Sequence, residues 1–172
     1  MKNIKKSITI ALLLFLSNHI QAQKEQKWSS IIRDNDATWF ASNEAKMIAE
    51  NVLLYQRNIG GWPKNIQMQN PLTAEQKKEL ITLKSSTDEV TTDNGATIQE
   101  MLFLSKIYAQ NPDERYKTAF LAGFNYLLEA QYDNGGWPQF YPLKKGYYTH
   151  ITYNDDSMVN ILNILKNCIE DN

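Results

Sequence analysis

Apolar residues recur at helical spacing through most of this chain. From Ser42 onward, Met47, Ile48, Val52 and Tyr55 fall on one stripe, which predicts a helix capped by Ser42. Thr73 followed by Gln76 has the form of a capping box and opens a short polar helix to about Lys84. Asp93 or Asn94 is placed to cap the next helix, with Ile98, Met101, Leu102 and Tyr108 inward. Asn111-Pro112 ends that helix and starts another, because proline suits a first helical turn; Tyr116, Phe120, Phe124, Leu127 and Leu128 supply its stripe. The final segment, DDSMVNILNILKNCIEDN, reads as a helix with Met158, Ile161, Leu162 and Leu165 on one face. Nothing follows for that face to pack against, so much of it is expected to be exposed. Strand-like alternation is confined to Tyr147 to Tyr153, predicted as a short hairpin arm. The expected fold class is mostly α.

The order of these helices carries more than their number. At an offset of 75 residues, Leu53 to Leu128, the residues Gln56 and Gly60-Gly61-Trp62-Pro63 fall on Gln131 and Gly135-Gly136-Trp137-Pro138. Each GGWP is followed by a polar loop and then by an acidic start to an apolar helix, TDNGATIQEML in one copy and YNDDSMVNIL in the other. Helix pairs of this kind stack to bury a continuous core, and commonly more than two are needed. Two copies therefore predict a truncated toroid or superhelix, a fragment of something longer.

Composition adds a compartment. Residues 1–22 carry three lysines, an apolar run from Ile8 to Leu16 and a small residue, Ala22, the form of a secretory signal peptide, so a secreted or periplasmic location is expected. That run is too short for a stable membrane span, and none is expected later. Removing Lys2, Lys5 and Lys6 from 18 basic residues leaves 15 against 19 acidic, a net charge of −4. Nucleic acid is thus not an expected partner, and a polyanionic substrate would need local Lys or Arg or a bound metal to neutralise it. Cys168 stands alone and forms no internal disulfide. Residues 23–41 read as a lead-in and 42–172 as the folded domain; the sequence leaves the oligomeric state open.

The candidate chemistry lies in the loops. Trp62 and Trp137 sit on tight turns: either each indole plugs the helix ends, or the loops share one mouth and offer flat apolar faces to sugar rings. Lys64, Asn65, Gln139 and Tyr141 beside them would hydrogen-bond to hydroxyls or carboxylates. Asp93 and Asp155 lie where loops turn into helices. Capping accounts for one acid or amide per helix, but not readily for Asn154, Asp155 and Asp156 in a row with Asn94 and Gly95 in the other copy. Clustered Asp and Asn oxygens suit calcium, which tolerates irregular coordination. His150, a lone histidine among tyrosines, is either a general base or a structural or substrate-contacting residue. No Ser/His/Asp order, zinc-ligand spacing or phosphate loop is present.

The ordered set YQRNIGGWPKN, TTDNGATIQEMLFLSKIY, FLAGFNYLLEAQYDNGGWPQFYP and HITYNDDSMVNIL resembles the pectate lyases of polysaccharide lyase family 10, over the chain from about Ser42 to its end. The resemblance implies a partly open α/α toroid, calcium dependence and β-elimination of polygalacturonate, the chain of pectin. It places the family's two active-centre aspartates on Asp93 and Asp155, both expected to bind Ca2+ and, through it, the substrate carboxylate. Trp62, Lys64, Asn65, Asn94, Trp137, Gln139, Tyr141, His150 and Asp156 are the expected substrate contacts. The family's base is an arginine in the second half of the catalytic domain, and Arg33, Arg57 and Arg115 match no such motif. The chain is therefore expected to lack its base and to be inactive alone. The rival readings are a non-catalytic calcium-dependent polysaccharide-binding module and a glycosidase using Asp93 and Asp155 as a two-carboxylate pair.

Overall fold

The computed structural model describes residues 26–151 and 153–170, so the predicted signal peptide lies outside the described residues. Among the described residues seven α-helices follow in order: α1 Trp28–Asp34, α2 Ala37–Phe40, α3 Asn43–Tyr55, α4 Ala74–Thr82, α5 Ile98–Gln110, α6 Glu114–Ala130 and α7 Ser157–Glu170. Short 3-10 turns precede α5 at Asp93–Gly95 and α7 at Asn154–Asp156. The architecture is mostly α, an incomplete α/α toroid of helix pairs. α5 packs on α1, α2, α3, α6 and α7.

Local signals set most boundaries. Ser42 accepts from the Ala45 N–H at the start of α3, and Thr73 with Gln76 forms a reciprocal capping box on α4. At α6 the cap is Asp113, which accepts from the Arg115 N–H, so Pro112 stands before the helix and not in its first turn. The buried face of α3 is Ala45, Ile48, Ala49, Asn51 and Val52, and Met47 is 66% exposed, a step around the helix from the predicted stripe. Leu128 likewise points outward from α6, whose Gly123 lets Met101 of α5 approach closely.

The core centres on Phe103 of α5, with the rings of Trp28, Phe40 and Trp39 at centroid distances of 5.0, 5.7 and 6.4 Å. Trp28, Ile31, Ile32 and Phe40 are buried, so residues read as a lead-in share the domain's core. On α7, Met158, Ile161 and Ile164 are buried and Leu165 is packed against them, while Val159, Leu162 and Ile169 are exposed. Among the described residues of the predicted hairpin arm no strand is formed. Residues Tyr147–Thr149 make a 3-10 turn, and the segment folds back on the second GGWP loop through Gln139 N–H to Tyr148 O (3.3 Å) and the Tyr132 hydroxyl to Thr149 O (2.6 Å).

Candidate functional site

The two GGWP loops are built alike, bond for bond. Trp62 Nε1 donates to Val52 O and Trp137 Nε1 to Leu127 O, both at 2.8 Å. Gln56 Nε2 donates to Gly60 O at 2.8 Å and Gln131 Nε2 to Gly135 O at 3.0 Å. The Trp62 indole thus shares the Val52 carbonyl with the Gln56 N–H at the end of α3, and the Trp137 indole bonds a carbonyl in the last turn of α6. Gly60 is required by position: φ is +104°, and a Cβ there would stand 2.2 Å from Ala122 O. Trp62 and Trp137 are 0% and 2% exposed, which corrects the expectation that they face substrate. They plug the helix ends, each indole turned onto the backbone of the helix that precedes its loop, with Gly123 of α6 against the Trp62 ring.

The segment Thr91–Asp93 joins the two loops. Val90 pairs with Pro63 and Thr91 with Phe140 as isolated bridges, and the Thr91 hydroxyl donates to Gln139 O. The buried hydroxyls of Thr92 and Ser157 bond at 2.8 Å, tying this segment to α7. The two 3-10 turns consequently touch. Their backbones match: Thr92 (φ −103°, ψ −1°) and Asn94 (53°, 26°) in one, Tyr153 (−108°, 6°) and Asp155 (49°, 36°) in the other. Structurally Asp93 corresponds to Asn154 and Asn94 to Asp155, so the two acids are not copies of one position.

Asp93 caps no helix; it is a buried carboxylate, its side chain 4% exposed. Lys64 Nζ lies 2.5 Å from Asp93 Oδ2. Asn154 Nδ2 reaches Asp93 Oδ1 at 3.4 Å and Asp155 Oδ2 at 2.5 Å, so the two acids converge on one amide nitrogen. Burial alone would raise the Asp93 pKa. Hydrogen bonds from Lys64, Gln139 and Asn154, with the ammonium charge, outweigh burial and hold the carboxyl below the usual aspartate range.

Around this pair stand the other expected residues. Asn94 Nδ2 donates to Asn65 Oδ1 at 2.9 Å, joining the first GGWP loop to the first acidic turn. Asp155 and Asp156 are exposed with positive φ, 49° and 57°. Gln139 is buried at 7% exposure beneath Asp93. Tyr141 is half-buried edge-on against Tyr126, at 5.9 Å, and so lies partly in the core. His150 is exposed and lines a cleft with Gln139 and Asn154. Each arginine is engaged elsewhere: Arg115 with Glu50 and Asp113, Arg33 with Asp34, and Arg57 with Tyr55 O.

Two supports escaped sequence reasoning. Thr97 holds φ +66°, ψ −51°, with Ile98 N–H bonded to Ala96 O at 2.8 Å, a γ-turn strained for a β-branched residue. Its hydroxyl accepts from Trp62 N–H at 3.0 Å and donates to Thr91 O at 2.9 Å, holding the turn between Asp93 and α5. Glu100 is fully buried, with Oε1 accepting from Trp28 Nε1 at 2.7 Å and Oε2 without a partner among the described residues. Burial pushes its pKa up to about 7. The Thr97-x-x-Glu100 spacing of a capping box was the one available signal.

No helix among the described residues is long and apolar enough to cross a membrane. The family model described as pectic acid lyase matches residues 56–172. A solved family 10 polysaccharide lyase from Cellvibrio cellulosa is 36% identical, with a TM-score of 0.56, over 77% of this chain and 39% of its own. An aspartate-to-alanine mutant of a family 10 polysaccharide lyase from the same organism, in complex with trigalaturonic acid, is 37% identical with a TM-score of 0.61, over 78% and 40%. The chain thus spans about 40% of the length of these lyases. No curated protein matches. With two-thirds of its length in the family match and a third of its aligned residues shared with solved members, the chain belongs to the pectic acid lyase family, alongside the family 10 polysaccharide lyases.

Proposed function

We propose that this chain is the sugar-binding and cation-binding part of an exported pectate lyase that cleaves polygalacturonate by calcium-dependent β-elimination. The observation that carries the reading is the convergence of Asp93 and Asp155 on the Asn154 amide nitrogen. An amide hydrogen between two carboxylates occupies a place suited to a cation. Asp93 and Asp155 present hard carboxylate oxygens on two touching irregular turns, the kind of ligand that suits calcium. Asp93 and Asp155 would hold the ion, with Asp156 and Asn94 turned to substrate. When bound, calcium supplies positive charge beside the C6 carboxylate, favouring the carbanion that forms as the C5 proton leaves and the C4–O bond breaks.

The chain's own groups do the rest. Lys64, beside Asp93, is placed to pair with a substrate carboxylate, and Gln139 orients Asp93 from below. The proton acceptor is a different matter. Arg33, Arg57 and Arg115 are held away from this pair by their own partners, which supports a base supplied from outside these 172 residues. The test is the ultraviolet absorbance of the C4–C5 double bond formed on polygalacturonate with calcium. The chain alone is expected to give none, and a longer form carrying the arginine is expected to give product that Asp155→Ala abolishes. Reducing ends without absorbance would instead indicate a two-carboxylate glycosidase.

A further inference from the structure

Among the described residues the two most exposed aromatic side chains, Tyr153 at 81% and Tyr147 at 66%, line the same cleft of about 470 Å³. Its other walls are Gln139, His150, Ile151 and Asn154. Gln139 and Asn154 are also the groups that hydrogen-bond to Asp93, so the cleft opens directly beside the acid pair. Its size falls within the roughly 300–1,000 Å³ usual for small-ligand sites.

The Tyr147 ring is not loose. It lies on Tyr148 at a centroid distance of 4.0 Å and 37°. Tyr148 meets the buried Phe140 edge-on at 5.2 Å and 88°, and Lys144 and Lys64 place ammonium groups 4.2 and 5.3 Å from the Phe140 centroid. This stack fixes one aromatic face toward the cleft at little cost in conformational entropy, with two cations behind it. A pyranose ring presents apolar C–H faces and polar edges. Exposed tyrosine faces over a floor of amide and imidazole groups suit that mixture better than they suit the contiguous apolar patch of a protein partner.

We propose that Tyr147 and Tyr153 form a ring-stacking subsite for the uronate unit next to the one held at Asp93 and Asp155. The chain then recognises a run of acidic rings, and affinity grows with each ring until the subsite is filled. This rests on the lyase reading above. The test is calorimetric titration of galacturonate oligomers of increasing length into the full chain with calcium, using Tyr147→Ala, Tyr153→Ala and the corresponding Phe variants, with calcium affinity measured in parallel. Both side chains are exposed, so folding is expected to survive. The Ala variants should lose about tenfold in affinity for the longer oligomers, the Phe variants should stay near wild type, and calcium affinity should not change. Ala variants that bind oligomers and calcium like wild type would overturn the subsite and leave the lyase reading standing. A wild-type chain that binds neither calcium nor oligomer would overturn both.

Discussion

Replacing Lys64 by Met separates the two jobs of that ammonium group. Lys64 Nζ is 2.5 Å from the Asp93 carboxylate, with side-chain exposures of 29% and 4%. Without it Asp93 keeps hydrogen bonds from Gln139 and Asn154 but loses its counter-charge, which costs about 1–3 kcal/mol of folding stability in the absence of metal, or roughly 4–8 °C in Tm for the middle of that range. The effect on calcium has the opposite sign. A monovalent and a divalent cation about 5 Å apart repel by about 1–2 kcal/mol even at a water-like dielectric, so the variant should bind calcium about tenfold more tightly. The assay is thermal unfolding with and without calcium, paired with calorimetric titration. Calcium should raise the Tm of the variant by more than it raises that of wild type. A folded Lys64→Met protein with unchanged or weaker calcium affinity would refute the view that the Lys64 ammonium repels a cation held at Asp93.

Thr97→Val keeps the strained backbone and removes the hydroxyl that serves Trp62 N–H and Thr91 O, and should cost about 2–4 kcal/mol in urea unfolding, whereas Thr97→Ser should cost far less; equal losses would contradict this. Gly60→Ala should destabilise by more than about 3 kcal/mol because its Cβ meets Ala122 O, while Gly135→Ala, with open space around its Cβ, should cost only about 1 kcal/mol in backbone strain; thermal unfolding of both ranks them. Glu100 has a raised folded pKa, so the stability it contributes is fully present below its unfolded value of 4.5 and is lost as pH rises through about 7. Glu100→Gln should flatten the fall in stability between pH 5 and 8 by about 3 kcal/mol at most, and an unchanged slope would assign that fall elsewhere.

Helices and repeats were legible because their signals are local. Ser42 and the Thr73–Gln76 box need only their own next turn, and a GGWP duplicated 75 residues on, Gly60 to Gly135, is visible without any structure. The indoles were ambiguous because their burial depends on how closely α6 approaches: Gly123 lets it sit against Met101 and Trp62, a contact between segments far apart in sequence. Tyr147 to Tyr153 alternates like a strand, but no described segment lies beside it to complete a ladder, and its backbone bonds go to turns instead. Asp93 offered two readings, helix cap and cation ligand, because it precedes an apolar run. The strained turn at Thr97 intervenes, and this frees the carboxylate for Lys64 and Asn154. The edge-on contact of Tyr148 with Phe140 could not be foreseen, because it requires the second loop to fold back on itself.

The central claim is that Asp93 and Asp155 hold a single cation between them. Calorimetric titration of calcium into the wild-type chain, Asp93→Ala, Asp155→Ala and the double variant tests it directly. The account predicts one bound ion per chain in wild type, an affinity reduced by about tenfold or more in each single variant, and a further loss in the double variant. Unchanged calcium affinity in both single variants, or two ions in wild type of which each single variant removes one and leaves the other unchanged, would mean that the two carboxylates do not share a cation.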